Sequence, residues 1–201
     1  MKKRNKIILY IFISIFIINT ILVLTGLSNS FDSLISSYII GIRSDKLTNI
    51  MINFTNIGSA YALIVISILL LCFIKSKRIP LTIIINLITV FLLSQLFKVI
   101  FHRTRPDELF LVNAYGYSYP SGHTMVSTAF YGYLLSLIYK HTKNKLLKII
   151  LTIFISILLL FIYISRIYLG VHYLSDIISG FSLGIIYLIL FNYYINKKEV
   201  K

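Results

Sequence analysis

Three short segments carry the side chains best suited to chemistry. The first is Lys98, six intervening residues, then Arg105-Pro106. The second is Pro120-Ser121-Gly122-His123. The third is Ser165-Arg166, five residues, His172, three residues and Asp176. Lys98, Arg105 and Arg166 are three fixed cations, and gathered in a low-dielectric pocket they call for a polyanion. Phosphate fits, because arginine offers its oxygens a planar fork and lysine a point charge. The two histidines then supply a nucleophile or base and an acid. Ser121 opens a helix, Gly122 permits close backbone approach, and the free N–H groups of a helix start suit an anion. His172 and Asp176, four apart, share a helix face. Each part has a plain alternative: a lone Lys98 snorkels to the surface, Ser-Gly-His alone says little, and the His172–Asp176 pair alone is equally a helix-end hydrogen bond. The weight lies in all of them occurring together.

The elements that must position these residues are apolar. The chain has 201 residues, 58% of them hydrophobic and 13% charged, against roughly 45–50% and about 25% in soluble domains. This excludes an ordinary soluble globule and a disordered chain. The single cysteine, Cys72, excludes an internal disulfide and a cysteine metal cluster, and its apolar run predicts a buried small hydrophobe. A formal net charge of +14 would suggest nucleic acid in a soluble protein, but here the basic residues fall between hydrophobic runs. About 20 apolar residues cross a bilayer, and six segments qualify: 7–27, 58–74, 81–101, 121–139, 146–164 and 173–195. The first is too long, and too poor in small residues at its end, for a cleaved signal peptide. All three prolines, Pro80, Pro106 and Pro120, fall at or just outside span ends, where the missing N–H does least harm. No linker or repeat divides the chain. The expectation is one all-α domain over 1–201, a six-transmembrane helical bundle. Residues 28–57 carry apolar positions on a rough helical period and predict short interfacial helices between spans one and two, with an irregular loop as the alternative.

Basic residues set the orientation. In the six-span layout fourteen fall on one side, in the groups Lys2 to Lys6, Lys75 to Arg78, Lys140 to Lys148 and Lys197 to Lys201, and six on the other. Cytoplasmic loops are Lys/Arg-rich, so both termini are expected in the cytoplasm of a multi-pass plasma-membrane protein. The opposite side holds Asp32, Asp45, Asp107, Glu108 and Asp176, five of the six acidic residues, and His102, His123 and His172, three of the four histidines. It also holds all three chemistry-bearing segments. Ionisable groups at the ends of apolar spans are costly and mark functional sites.

In order and spacing, the three segments resemble the three-part signature of the type-2 phosphatidic acid phosphatase superfamily, whose members include membrane lipid phosphate phosphatases and soluble haloperoxidases. The resemblance runs from Lys98 to Asp176 without departure at a signature position. It implies a phosphatase in which His172 attacks phosphorus, Asp176 fixes its tautomer, and His123 protonates the leaving oxygen. It further implies that Lys98, Arg105, Ser121, Gly122 and Arg166 hold the phosphoryl oxygens. No cofactor is expected. His123, His172 and Asp176 are zinc-capable in principle, but three adjacent cations oppose a divalent ion. His102 and Arg103 lie off the signature positions and His141 on the cytoplasmic side, so each reads as a polar loop residue.

The implied partners are a membrane lipid phosphate and the bilayer, not nucleic acid; the sequence carries no signal for oligomeric state. An outward-facing site with almost no external domain suits a lipid arriving sideways between helices, with the 28–57 segment, through Tyr38 and Ile39, shaping that access. Undecaprenyl diphosphate is the favoured substrate, ahead of phosphatidylglycerophosphate and phosphatidic acid. An anion transporter or a noncatalytic lipid-binding protein is the reading from another class; a transporter would place its ionisable groups nearer the midplane.

Overall fold

A computed structural model describes residues 1–74, 76, 78–106 and 110–199, with backbone only for Lys198 and Glu199. The basic positions Lys75, Lys77 and Lys201 and the acidic Asp107 and Glu108 lie outside the described residues. Among the described residues all regular structure is helical: α1 (Lys3–Leu24), α2 (Asn29–Gly41), α3 (Asp45–Ile57), α4 (Ala60–Phe73), α5 (Arg78–Phe101), α6 (Gly122–His141), α7 (Lys145–Tyr168) and α8 (Leu174–Glu199). Several starts are written locally. Ser44, Ser59, Ser121 and Asn144 each sit at an N-cap and accept the backbone N–H three residues on, at Leu47, Ala62, Thr124 and Leu147. Such a cap satisfies one of the orphan donors of the first turn.

α6 is the hub of the bundle and packs against α5, α7 and α8, while α1 lies along α8, α3 along α7 and α4 along α5. Its buried face, with Met125, Ala129 and Phe130, meets Leu87 and Val90 of α5, Ile162 of α7 and Leu183 of α8 in one apolar core. The outer faces of α1, α5 and α7 expose Ile11, Ile18, Leu92, Leu96, Ile150 and Phe154. Those faces need a hydrocarbon solvent, which makes this a membrane protein.

Among the described residues, length and apolarity mark four helices as able to cross a membrane: α1, α5, α7 and α8. The pair α3 and α4, bent by 51°, makes a fifth if taken as one broken span. Six spans were expected. The difference has two causes. α4 has only 14 residues, about 21 Å at 1.5 Å per residue, too short alone. α6 carries serine, threonine, glycine and tyrosine because its surroundings are other helices, so its composition is not that of a lipid-facing segment. One expectation is corrected: Cys72 is exposed rather than buried. In a helix apolar on every side, composition does not say which face turns outward. Residues 28–57 form helices, as expected, but more than a surface layer. Asp32 of α2 is buried, and Tyr168 at the end of α7 anchors the α2–α3 turn, accepting from Arg43 Nε at its carbonyl (2.8 Å) and from the Ser44 N–H at its hydroxyl (3.0 Å).

α6 and α8 approach closely over small residues, the packing mode favoured between membrane helices. A Cβ on Gly180 would stand 2.6 Å from the Ser121 carbonyl oxygen, and one on Gly184 would stand 2.6 Å from Thr128 Cβ and 2.9 Å from the Met125 oxygen. At Gly132 the obstacle is only the tip of Leu188. Gly184→Ala should therefore destabilise the protein by about 1–3 kcal/mol, seen as a lower melting temperature in detergent, while Gly132→Ala changes it little. Equal melting temperatures for the two variants would contradict this packing.

Candidate active site

The first segment leaves the membrane core through the last turn of α5. Lys98 is buried there and its Nζ donates to the Tyr117 carbonyl. The helix ends at His102, in the left-handed region at φ 48, which turns the chain back over the bundle end. Beyond it three carbonyls grip Arg105: Nε donates to Gly116 O at 2.9 Å, Nη1 to Val171 O at 2.8 Å and Nη2 to Tyr115 O at 2.9 Å. So held, Nη1 lies 3.3 Å from Nε2 of His172.

The second segment starts α6. Ser121 is fully buried. Its N–H donates to the Asp176 carbonyl at 3.1 Å, and its hydroxyl accepts from Thr124 Oγ1 at 3.0 Å. Gly122 faces Lys98 so closely that a Cβ would sit 3.4 Å from Lys98 Cε.

The third segment joins the end of α7 to the start of α8. Arg166, 4% exposed, donates Nη1 to Thr55 Oγ1 of α3 at 2.5 Å, and its Nε has no partner among the described residues. Gly170, at φ 76, reverses the chain and presents His172. Asp176, in the first turn of α8, accepts four donors. Oδ2 takes Nδ1 of His172 at 3.2 Å, the Tyr173 N–H at 3.0 Å and the Ser118 hydroxyl; Oδ1 takes Arg103 Nη1 at 2.7 Å. The Tyr173 bond is also the reach-back of an acidic residue to the N-cap that starts a helix.

Lys98, Arg105, Gly122, His123, Arg166 and His172 all line one cavity of about 500 Å³. Of the expected site residues, Ser121 and Asp176 do not line it: Ser121 caps α6 behind the wall and Asp176 stands behind His172. The far wall is partly apolar, with Ala60, Phe91, Val99 and Val126, and contains Gly58 at the α3–α4 bend. Tyr38 and Ile39 of α2 do not line it, whereas Gly58 and Ala60 at the α3–α4 bend do. Among the described residues no three His, Cys, Asp or Glu side chains cluster as a metal site.

Burial, and then the positive charges of Arg166, Lys98 and Arg105, hold His172 well below the ordinary imidazole value of 6.5. The ring is therefore neutral at pH 7. Its partners assign the tautomer: Nδ1–H points to Asp176, and the lone pair of Nε2 faces Arg105 and the cavity. Such an arrangement suits nucleophilic attack on a bound anion.

The sequence reading passed over Arg103, set aside as a loop residue, and also Ser118, Asp32 and Thr55. Arg103 binds both Asp176 and Asp32, 2.7 and 2.8 Å away. The available signal was a third cation inside the first segment, together with one acidic residue on the apolar period of 28–57.

The family model described as the PAP2 superfamily matches residues 79–199. Phosphatidylglycerophosphatase B of Bacillus subtilis (strain 168) is 31% identical over 169 residues, 81% of this chain and 82% of that protein. An undecaprenyl-diphosphatase of Sulfolobus acidocaldarius is 28% identical over 144 residues, 69% of this chain and 66% of that protein. The crystal structure of a transmembrane PAP2-type phosphatidylglycerolphosphate phosphatase from Bacillus subtilis superposes with a TM-score of 0.81 at 28% identity, covering 92% of this chain and 96% of the other. That of Aquifex aeolicus LpxE gives 0.64 at 27% identity, covering 80% and 93%.

The buried neutral imidazole has a consequence for stability. Folded His172 resists protonation while the unfolded chain takes up a proton as pH falls through 6.5. Its stabilising contribution is thus complete above 6.5 and shrinks below it. Between about pH 7.5 and about pH 5, the melting temperature of the wild type should fall more than that of His172→Gln; parallel curves would contradict it.

Proposed function

This chain belongs to the PAP2 superfamily and is a lipid phosphate phosphatase, and from that premise we propose that it works without metal, through a phosphohistidine on His172, at the extracytoplasmic face of the membrane. The observation that carries the reading is the convergence of three cations and two histidines on one cavity, with Nδ1 of His172 on Asp176 and Nε2 turned inward. Phosphate enters among Lys98, Arg105 and Arg166, with the Gly122 backbone at the mouth of α6. Nε2 of His172 attacks phosphorus and the bond to the leaving oxygen breaks. His123, as imidazolium, gives that oxygen its proton. Asp176 holds the Nδ1 proton and stabilises the positive ring that forms. Water then attacks phosphorus, His123 takes a proton from it, and the P–Nε2 bond breaks to release phosphate. The cations hold the developing charge on the equatorial oxygens throughout. Ser121 acts through the α6 cap rather than by touching phosphate.

One integral domain spans the bilayer. α6 crosses as a sixth span screened by its neighbours, and the Lys-rich ends, with both termini, face the cytoplasm. The substrate is a lipid carrying a terminal phosphate, and its tail lies against Ala60, Phe91 and Val99. Phosphatidylglycerophosphate is the leading substrate, supported by the relative and the solved structure that cover most of the chain. This moves the choice away from undecaprenyl diphosphate, which stays as the second reading, supported by the Sulfolobus acidocaldarius relative.

Purified protein in detergent with chelator should release inorganic phosphate from a panel of long-chain lipid phosphates. His172→Ala should lose at least about 10³-fold of that rate, the scale of removing a nucleophile. A wild type that releases none, or a fully active His172→Ala, overturns the mechanism. Ala60→Trp, at the lateral mouth, should slow long-chain substrates more than a short soluble phosphate ester; equal losses would remove the sideways route.

A further inference from the structure

A buried ion cluster stands behind the cavity, and no step described so far uses all of it. Asp32 of α2 is 1% exposed and Asp176 of α8 is fully buried. Arg103 lies between them, with Nη1 2.7 Å from Asp176 Oδ1 and Nη2 2.8 Å from Asp32 Oδ2. Ser175 closes the ring. It accepts from Arg103 Nη1 at 2.7 Å, and it donates its N–H and hydroxyl to the two oxygens of Asp32 at 2.9 and 2.5 Å. The guanidinium also rests on the Tyr173 ring, 4.3 Å from its centroid.

We propose that Arg103 and Asp32 are positioning residues for the histidine step, Arg103 by fixing the Asp176 carboxylate against His172 and Asp32 by fixing Arg103 and offsetting its charge. The proposal rests on the reading of His172 as the nucleophile. Oδ1 of Asp176 has Arg103 as its donor, and Oδ2 has His172, Ser118 and Tyr173. The arginine thus sets the rotation of the carboxylate that brings Oδ2 to Nδ1. Without it a buried oxygen loses its donor, and the carboxyl is driven to turn or to take a proton.

Asp32 matters through charge. His172 faces Lys98 on α5, Arg105 on the following loop, His123 on α6 and Arg166 on α7, with Asp176 on α8 as the near anion. An unopposed Arg103 would cancel that anion just where a positive phosphohistidine must form. Two carboxylates around one guanidinium leave the cluster net negative. Asp32 also seats its charge on the Ser175 N–H, in the first turn of α8, where the helix dipole favours an anion. In this way α2, which does not line the cavity, bears on the reacting nitrogen.

Three variants test the proposal in detergent: Asp32→Asn, Arg103→Gln and their combination. The readouts are kcat and KM on the best substrate of the lipid panel, competitive inhibition by inorganic phosphate, and melting temperature. Each single variant should lower kcat by about 10- to 100-fold, with KM and the phosphate inhibition constant within about twofold, because the anion cup is untouched. The double variant should be no slower than the slower single one, since the two residues act in series. Arg103→Lys, which keeps the charge but not the fork, should recover part of the rate.

Unchanged kcat overturns the proposal, and so do losses that appear in KM and phosphate affinity, or a double variant whose losses multiply. Loss of folded protein in both Asp32→Asn and Arg103→Lys places the pair in the scaffold and overturns it as well. A failure of the functional reading looks different: there the wild type itself releases no phosphate, or His172→Ala matches it.

Discussion

Charge in a medium that hardly solvates it must be compensated by neighbours, and the end of this bundle that carries the site is arranged around that requirement. Lys98, Arg166 and Asp176 are all nearly or fully buried. Isolated, each would cost several kcal/mol. Asp176 is compensated by donors from Arg103, Ser118, Tyr173 and His172, carbonyl oxygens of the 115–117 and 171 backbone surround Lys98 and Arg105, and Arg166 has the Thr55 hydroxyl. The imbalance that remains is informative: three cations face one cavity with a single carboxylate behind the histidine. In the proposed reading a doubly charged phosphate completes the compensation, so ligand binding and relief of electrostatic stress are the same event.

The bundle serves this by holding several elements in one register. The Ser121 N–H reaches the carbonyl of Asp176, so the start of α6 and the first turn of α8 are tied by a direct bond. Gly180 and Gly184 allow the two helices to lie near enough for it. On the other flank Thr55 of α3 meets Arg166 of α7. A displacement of any one of these helices would separate a cation from the cavity it shares with His172.

Much of the site was legible in the sequence, and the physical reason is local. Lys98 and Arg105 lie at one helix end, His172 and Asp176 one turn apart, and the positive-inside pattern alone put them on a common side. What escaped was non-local. Arg103 looked like a neighbour of the signature positions because its partners are 71 and 73 residues away in the chain, and no spacing encodes such a distance. Thr55 and Ser118 were invisible for the same reason. Ser121 was legible as a residue but not in its orientation: a serine ahead of a helix points either to a ligand or to its own backbone, and here it caps. In the fold, apolar runs located the helices well. They failed to say that α6 owes its polarity to burial among other helices, and they gave no face for Cys72.

The cavity wall formed by Ala60, Phe91 and Val99 beside the α3–α4 bend has a kinetic meaning. With the sideways entry proposed above, the site draws its substrate from a two-dimensional reservoir. Its saturation follows the mole fraction of that lipid in the leaflet rather than any bulk concentration, and inert lipid acts as diluent. On the same proposal product leaves by two routes, the lipid back into the film and the inorganic anion into water, so neither obstructs the other.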